Sequence, residues 1–162
     1  MINDTERTLQ EIRAEKLART VFTGKLDRSG HPVILHTERV AKSGKTAEER
    51  TVGWLHDIVE DTDITLDDLR KMGFDEEIVE TVDQVSRRPG ETYKEFIERI
   101  AEHPPAVLVK LHDLRDNRKR CEQLGGDEGA GLARRYDRAL ERLAPLEQSI
   151  RERQTSGRAG GR

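Results

Sequence analysis

Three times in this chain a threonine is followed three residues later by an acidic side chain: Thr46 with Glu49, Thr65 with Asp68 and Thr92 with Glu95. This is capping-box spacing, in which hydroxyl and carboxylate each take a backbone N–H from the first turn of a helix. Val52, Leu55 and Val59 continue the first pair at helical intervals, Gly73 should stop the short helix after the second, and Tyr93, Phe96, Ile97 and Ile100 form the stripe of the third. The segments between read the same way. Residues 5–19 are amphipathic through Leu9, Ile12, Ala14 and Leu17; Pro32 opens a helix carrying His36 and Val40 toward Gly44; and Asp75 should cap one with Ile78, Val82 and Val85 inside. Pro104-Pro105 leads into Val107, Leu108, Leu111 and Leu114, and Gly125-Gly126 precedes a last charged helix that Pro145 should kink or break. The expected fold is all-α, a compact bundle of about seven to eight helices in a single domain over residues 1–153, with residues 154–162 as a disordered tail.

Composition narrows the partners. Charged residues make up 38% of the chain but nearly cancel, leaving a net charge of −3, which lacks the positive field of a protein that grips long nucleic acid. Local cations remain available for a small polyphosphate. The single cysteine, Cys121, has no partner for an internal disulfide and fits a reducing compartment. No apolar run approaches the roughly 20 residues that span a bilayer, and the N-terminus lacks the order of a signal peptide. The expected setting is cytoplasmic, away from membranes.

Chemistry gathers in the stretch from Trp54 to Asp61, where His56, Asp57, Glu60 and Asp61 are set among Leu55, Ile58 and Val59. On a continuous helix much of this ionisable set shares one side. Such groups are costly to bury unless a cation compensates them, and a divalent metal would take imidazole nitrogen from His56 and carboxylate oxygen from Asp57. By itself the His-Asp dipeptide reads more readily as the solvated end of an acidic helix than as a metal site. Two other places weigh against that. His36 lies on the preceding helix, and Lys110, Asp113 and Asn117 form a polar stripe at intervals of three and four on a later one.

The order His36, then His56-Asp57, then Asp113 resembles the H…HD…D pattern of HD-domain metal phosphohydrolases. More narrowly, the blocks Gly30–His36, Leu55–Thr62 and Val109–Asn117 resemble the hydrolase domain of the RelA/SpoT alarmone enzymes and their small single-domain relatives. The resemblance implies an HD-type bundle in which His36, His56, Asp57 and Asp113 bind one divalent metal. Mn²⁺ is favoured by the likeness, while Fe²⁺, Co²⁺ and Zn²⁺ suit the same ligands. It also implies that Glu60 and Asp61 position or activate the nucleophilic water, that Asn117 lines the site, and that the substrate is a small phosphorylated nucleotide such as (p)ppGpp, which loses its 3′-pyrophosphate. No counterpart of the synthetase domain of the long alarmone enzymes is found in these residues, so the implied activity is degradative. Lys25, Arg28 and Lys110 are the cations placed to meet phosphate.

The departures bear on the substrate. Nine residues before the first metal histidine the alarmone hydrolases carry an arginine that packs on guanine; here that position is Asp27, with Lys25 and Arg28 available to offset its charge. A tyrosine of the family is Val33, and an alanine is His112. On a helix face without further ligands, His112 reads as structural; His31 and His103 read as surface groups, Cys121 as a passive thiol and Tyr93 as core. A second class of function remains open beside the hydrolase: a non-catalytic HD module that senses a nucleotide or metal.

Overall fold

In the computed structural model, which describes residues 4–159, the threonine caps form as their spacing requires. Thr65 Oγ1 accepts the Asp68 N–H while Asp68 Oδ2 accepts that of Thr65, and Thr92 and Glu95 do the same. Thr46 Oγ1 accepts the Glu49 N–H, but Glu49 turns its carboxylate to Lys45 N instead of completing the box. Nine helices result among the described residues, with no strand beyond a single bridge between Leu26 and Pro32. They are α1 (Asp4–Val21), α2 (Val33–Ser43), α3 (Ala47–Leu55), α4 (Ile58–Asp61), α5 (Leu66–Lys71), α6 (Glu76–Val85), α7 (Tyr93–Ala101), α8 (Pro104–Leu124) and α9 (Gly126–Ala159).

Three expectations change. The helix through Val52 and Val59 is not continuous: α3 stops at Leu55, and His56-Asp57 form a break before the single turn of α4. Asp75 stands at the start of α6 without a side-chain cap bond, and its own N–H is taken by Gln10 Oε1 at 3.0 Å. The last helix runs through Pro145 and on to Ala159, so residues 154–159 are helical; residues 160–162 lie outside the described residues. Pro145 is tolerated because it sits on the exposed face, where the carbonyl it leaves without a donor faces water. The end of α9 is held by buried Ile150 and by Arg151, which pairs with Glu49.

At the centre lies α8. Val107, Leu108, Val109, Leu111 and Leu114 are all buried, and so are His112 and Asp113, as suits a helix enclosed by its neighbours. It packs against α2, α3, α6, α7 and α9. One close approach matters for the site. A Cβ at Gly53 on α3 would stand 2.7 Å from Ala41 Cα on α2, nearer than any side chain tolerates, so glycine lets these two helices touch and brings His36 and His56 together. None of the described helices is long and apolar enough to cross a membrane.

A buried polar tie joins α3, α8 and α9. Glu49 accepts from His112 Nε2 at 3.1 Å and from Arg151 through both terminal nitrogens, which gives His112 a structural partner. Burial opposes the Glu49 charge, but His112 and Arg151 outweigh it and hold the carboxyl at about 2, against 4.5 ordinarily. Because the folded value is the lower one, this stabilisation is complete above pH 4.5 and is lost as pH falls toward 2. Glu49→Gln should therefore lower stability at pH 7 by roughly 3 kcal/mol, since it leaves the guanidinium of Arg151 without its carboxylate. Urea unfolding should show that gap closing in acid; a gap that does not depend on pH would contradict it.

Candidate metal centre

Adjacent residues on a regular helix point about 100° apart, so His56 and Asp57 would not share a face of one. The break between α3 and α4 solves this. It brings Asp57 Oδ2 to 3.2 Å from His56 Nε2 and 3.8 Å from His36 Nε2. From α8, Asp113 Oδ1 reaches 3.1 Å from His36 Nε2 and 3.6 Å from His56 Nε2, and the two Nε2 atoms lie 3.3 Å apart. Four residues from three parts of the chain thus converge; His36, His56 and Asp57 each offer a ligand atom within 4.8 Å of the others.

The far sides of both rings are committed. His56 Nδ1 donates to the Gly53 carbonyl at 2.7 Å, and His36 Nδ1 donates to Asp116 Oδ2 at 2.6 Å. Each neutral ring then presents its Nε2 as an acceptor. Two such nitrogens and two carboxylates converge with no donor among them, an arrangement that requires a positive charge in the middle. Protons can supply it: burial disfavours charge on His36, but bonds to Asp113 and Asp116 raise its pKa, and Asp57 with Asp113 raise that of buried His56 well above the ordinary value. Burial likewise works against the charges of Asp57 and Asp113, yet both carboxyls are lowered, Asp57 by the imidazoles and Asp113 by Lys110 and the imidazoles. A divalent cation carries the same balancing charge, and neutral imidazole with carboxylate is a donor set that suits one.

Around these four lies a ring of supports. Lys110 Nζ donates to Asp113 Oδ2 and Asn117 Nδ2 to Asp113 Oδ1, both at 2.7 Å. These two were expected to meet substrate; the structure places them behind Asp113, and neither lines the open cavity in front. Asp116 is gripped by Arg39 through two bonds of 2.6 and 3.1 Å, and against the effect of burial its carboxyl is held at about 2 by His36 and Arg39. Sequence reading passed over Asp116, although it stands three residues after Asp113, next to the polar stripe of α8.

The cavity, of about 550 Å³, is lined by His36, Asp57, Asp61, Lys25, Arg28, Asp27 and Arg120 together with apolar residues. Lys25 Nζ donates to the Asp61 carbonyl at 3.3 Å, while Arg28 is 79% exposed and pairs with Glu128. Neither offsets Asp27, whose carboxylate is paired with Arg120, a residue the sequence reading did not single out. Glu60 accepts the Arg87 N–H and does not line the cavity, whereas Asp61 does. Surrounding protein raises the carboxyl pKa of both, and the Asp57 charge adds to the effect.

No family model matches the chain. It is 31% identical over 153 residues to a GTP pyrophosphokinase of Streptomyces coelicolor, covering 86% of this chain and 18% of that protein. It is 30% identical over 119 residues to a guanosine-3′,5′-bis(diphosphate) 3′-pyrophosphohydrolase of Aquifex aeolicus (66% of this chain, 17% of that protein), and 28% over 158 residues to that of Vibrio cholerae (88% and 22%). The chain therefore spans about a fifth of the length of the curated relatives it matches. Among solved structures, a metazoan ortholog of SpoT described as hydrolysing ppGpp aligns with a TM-score of 0.68 at 22% identity, over 88% of this chain and 92% of that one. The fold is thus the all-helical HD-type bundle. The resemblance carried by the three motif blocks extends over most of the chain, which is similar to proteins of the SpoT/RelA type.

Asp116→Asn keeps the size of the residue that orients His36 but removes its charge. Calorimetric titration with Mn²⁺ should show affinity falling by roughly tenfold to a hundredfold. Unchanged affinity would mean that His36 needs no such partner.

Proposed function

We propose that this chain is a metal-dependent phosphohydrolase of small phosphorylated nucleotides, acting most nearly as a guanosine 3′,5′-bis(diphosphate) 3′-pyrophosphohydrolase. The observation that carries this reading is the meeting of two Nε2 acceptors with the carboxylates of Asp57 and Asp113 beside a cavity of nucleotide size. The relatives named as pyrophosphohydrolases support the substrate class. The cytoplasmic setting expected from the lone Cys121 goes with the same reading.

His36, His56, Asp57 and Asp113 hold the metal, with Mn²⁺ the proposed ion. When bound, the ion lowers the pKa of a water and neutralises phosphate charge. The chain's own residues do the rest. Asp61, on the cavity wall with a carboxyl pKa raised by its crowded surroundings and by Asp57, accepts the proton of the attacking water. The water oxygen bonds to phosphorus, the bond from phosphorus to the 3′ oxygen breaks, and the proton passes to that oxygen as pyrophosphate leaves. Glu60 takes the Arg87 N–H and so ties the loop after α6 to the lip of the site. Lys110 and Asn117 orient Asp113, and Lys25 holds the backbone of Asp61.

Asp61→Asn should retain metal while turnover falls by roughly two to four orders of magnitude; Glu60→Gln, away from the cavity, should lose less. Asp113→Ala should lose both metal and turnover, because the remaining donors are left with a charge that nothing balances. Elemental analysis and pyrophosphate release read the two quantities separately. A full complement of metal in Asp113→Ala would sink the ligand assignment, and a metal-loaded parent inert toward a panel of nucleotide phosphates would turn the reading to a sensor.

A further inference from the structure

Three cations line the cavity beside the metal ligands, and only one of them is held inside with a fixed orientation. Lys25 is spent on the Asp61 carbonyl, and Arg28 reaches outward to Glu128. Arg120 is 27% exposed and gripped at two edges: one terminal nitrogen bonds the Asp27 carboxylate, and Nη1 donates to Asn117 Oδ1 at 3.0 Å. Asp27 is itself locked, since its Oδ1 accepts the backbone N–H groups of Ser29 and His31 at 2.8 and 2.9 Å. A planar group hydrogen-bonded at two edges has its plane fixed and its faces left for contact.

Charge and distance then decide what meets that plane. The Asp27 carboxylate cancels much of the guanidinium charge, which makes Arg120 a poor partner for phosphate and leaves it suited to a flat, uncharged group. Asn117 spans the gap to the metal ligands, accepting from Arg120 at Oδ1 and donating from Nδ2 to Asp113, so the guanidinium stands one side chain away from the Asp113 carboxylate on the wall of the same cavity. A phosphate seated against the metal ligands leaves that neighbouring place to the ribose and base attached to it.

We propose that Arg120 is a specificity-determining residue that packs its guanidinium plane on the base of the bound nucleotide, with Asp27 as its positioning residue. This rests on the nucleotide phosphohydrolase reading above. The order of the pair matters: the cation comes from the central helix and the anion from the loop between α1 and α2, so the loop braces the contact and does not make it.

Steady-state kinetics of the Mn²⁺-loaded protein test this on two substrates, guanosine 3′,5′-bis(diphosphate) and the base-less 1-deoxyribose 3,5-bis(diphosphate). Arg120→Lys keeps the charge and loses the plane. On the nucleotide it should raise KM by about tenfold or more with kcat within about twofold, and on the base-less substrate KM should stay within about twofold. Asp27→Asn, which retains an acceptor for Ser29 and His31, should raise KM on the nucleotide alone. Equal KM shifts on both substrates, or a fall in kcat together with metal loss, would overturn the proposal and assign Arg120 to steadying Asn117 and Asp113. A parent protein that binds Mn²⁺ but hydrolyses neither substrate would overturn the phosphohydrolase reading first, and this one with it.

Discussion

The carboxylate of Asp113 is the group about which the rest of the molecule is arranged. It is buried on the central helix, where an anion is tolerated only if its lone pairs are filled and its charge is met. Lys110 and Asn117, one turn away on either side, fill one lone pair on each oxygen. What remains of Oδ1 faces His36 and His56. Asp113 therefore needs α2 and the end of α3 to be close, and they are close because Gly53 carries no side chain against Ala41. A fold that merely buried the apolar face of α8 would have no use for that approach.

The same requirement accounts for the interruption in the third helix. A continuous run from Ala47 to Asp61 would bury the apolar stripe equally well, but it would send His56 and Asp57 in different directions. Ending α3 at Leu55 costs a few helical hydrogen bonds and aims an imidazole nitrogen and a carboxylate oxygen at one point. The second ring of partners keeps that aim: Gly53 O and Asp116 fix the two imidazoles by their Nδ1 atoms, and Arg39 fixes Asp116. On the other side of α8, His112 faces away from the centre and joins Glu49 and Arg151, so one helix serves a site on one face and a structural tie on the other.

Much of this was legible in the sequence because the signals are local. Thr-x-x-acid spacing marked helix starts, periodicity marked the core of α6, α7 and α8, and a likeness of short blocks pointed to His36, His56, Asp57 and Asp113 before any geometry was known. Illegible were the contacts that span the chain. Asp116 meets His36 across 80 residues and Arg120 meets Asp27 across 93, and no pattern within a single helix announces either. For that reason Asp27 was given Lys25 and Arg28 as the cations to offset its charge, where the structure pairs it with Arg120. Lys110 and Asn117 share the stripe of Asp113, but spacing alone does not tell a group that faces the cavity from one that bonds a neighbouring carboxylate, as both do. Pro145 failed as a helix breaker because exposure, which sequence does not report, decides whether water can satisfy the freed carbonyl.

Everything proposed about chemistry depends on one cation lying between the four converging side chains. Diffraction from crystals grown with Mn²⁺, recorded where manganese scatters anomalously, locates that ion directly. The account predicts a single anomalous peak within bonding distance of His36 Nε2, His56 Nε2 and the carboxylates of Asp57 and Asp113, with both Nδ1 atoms still bonded to Gly53 O and Asp116. No peak there, or a peak held by other residues, would contradict it.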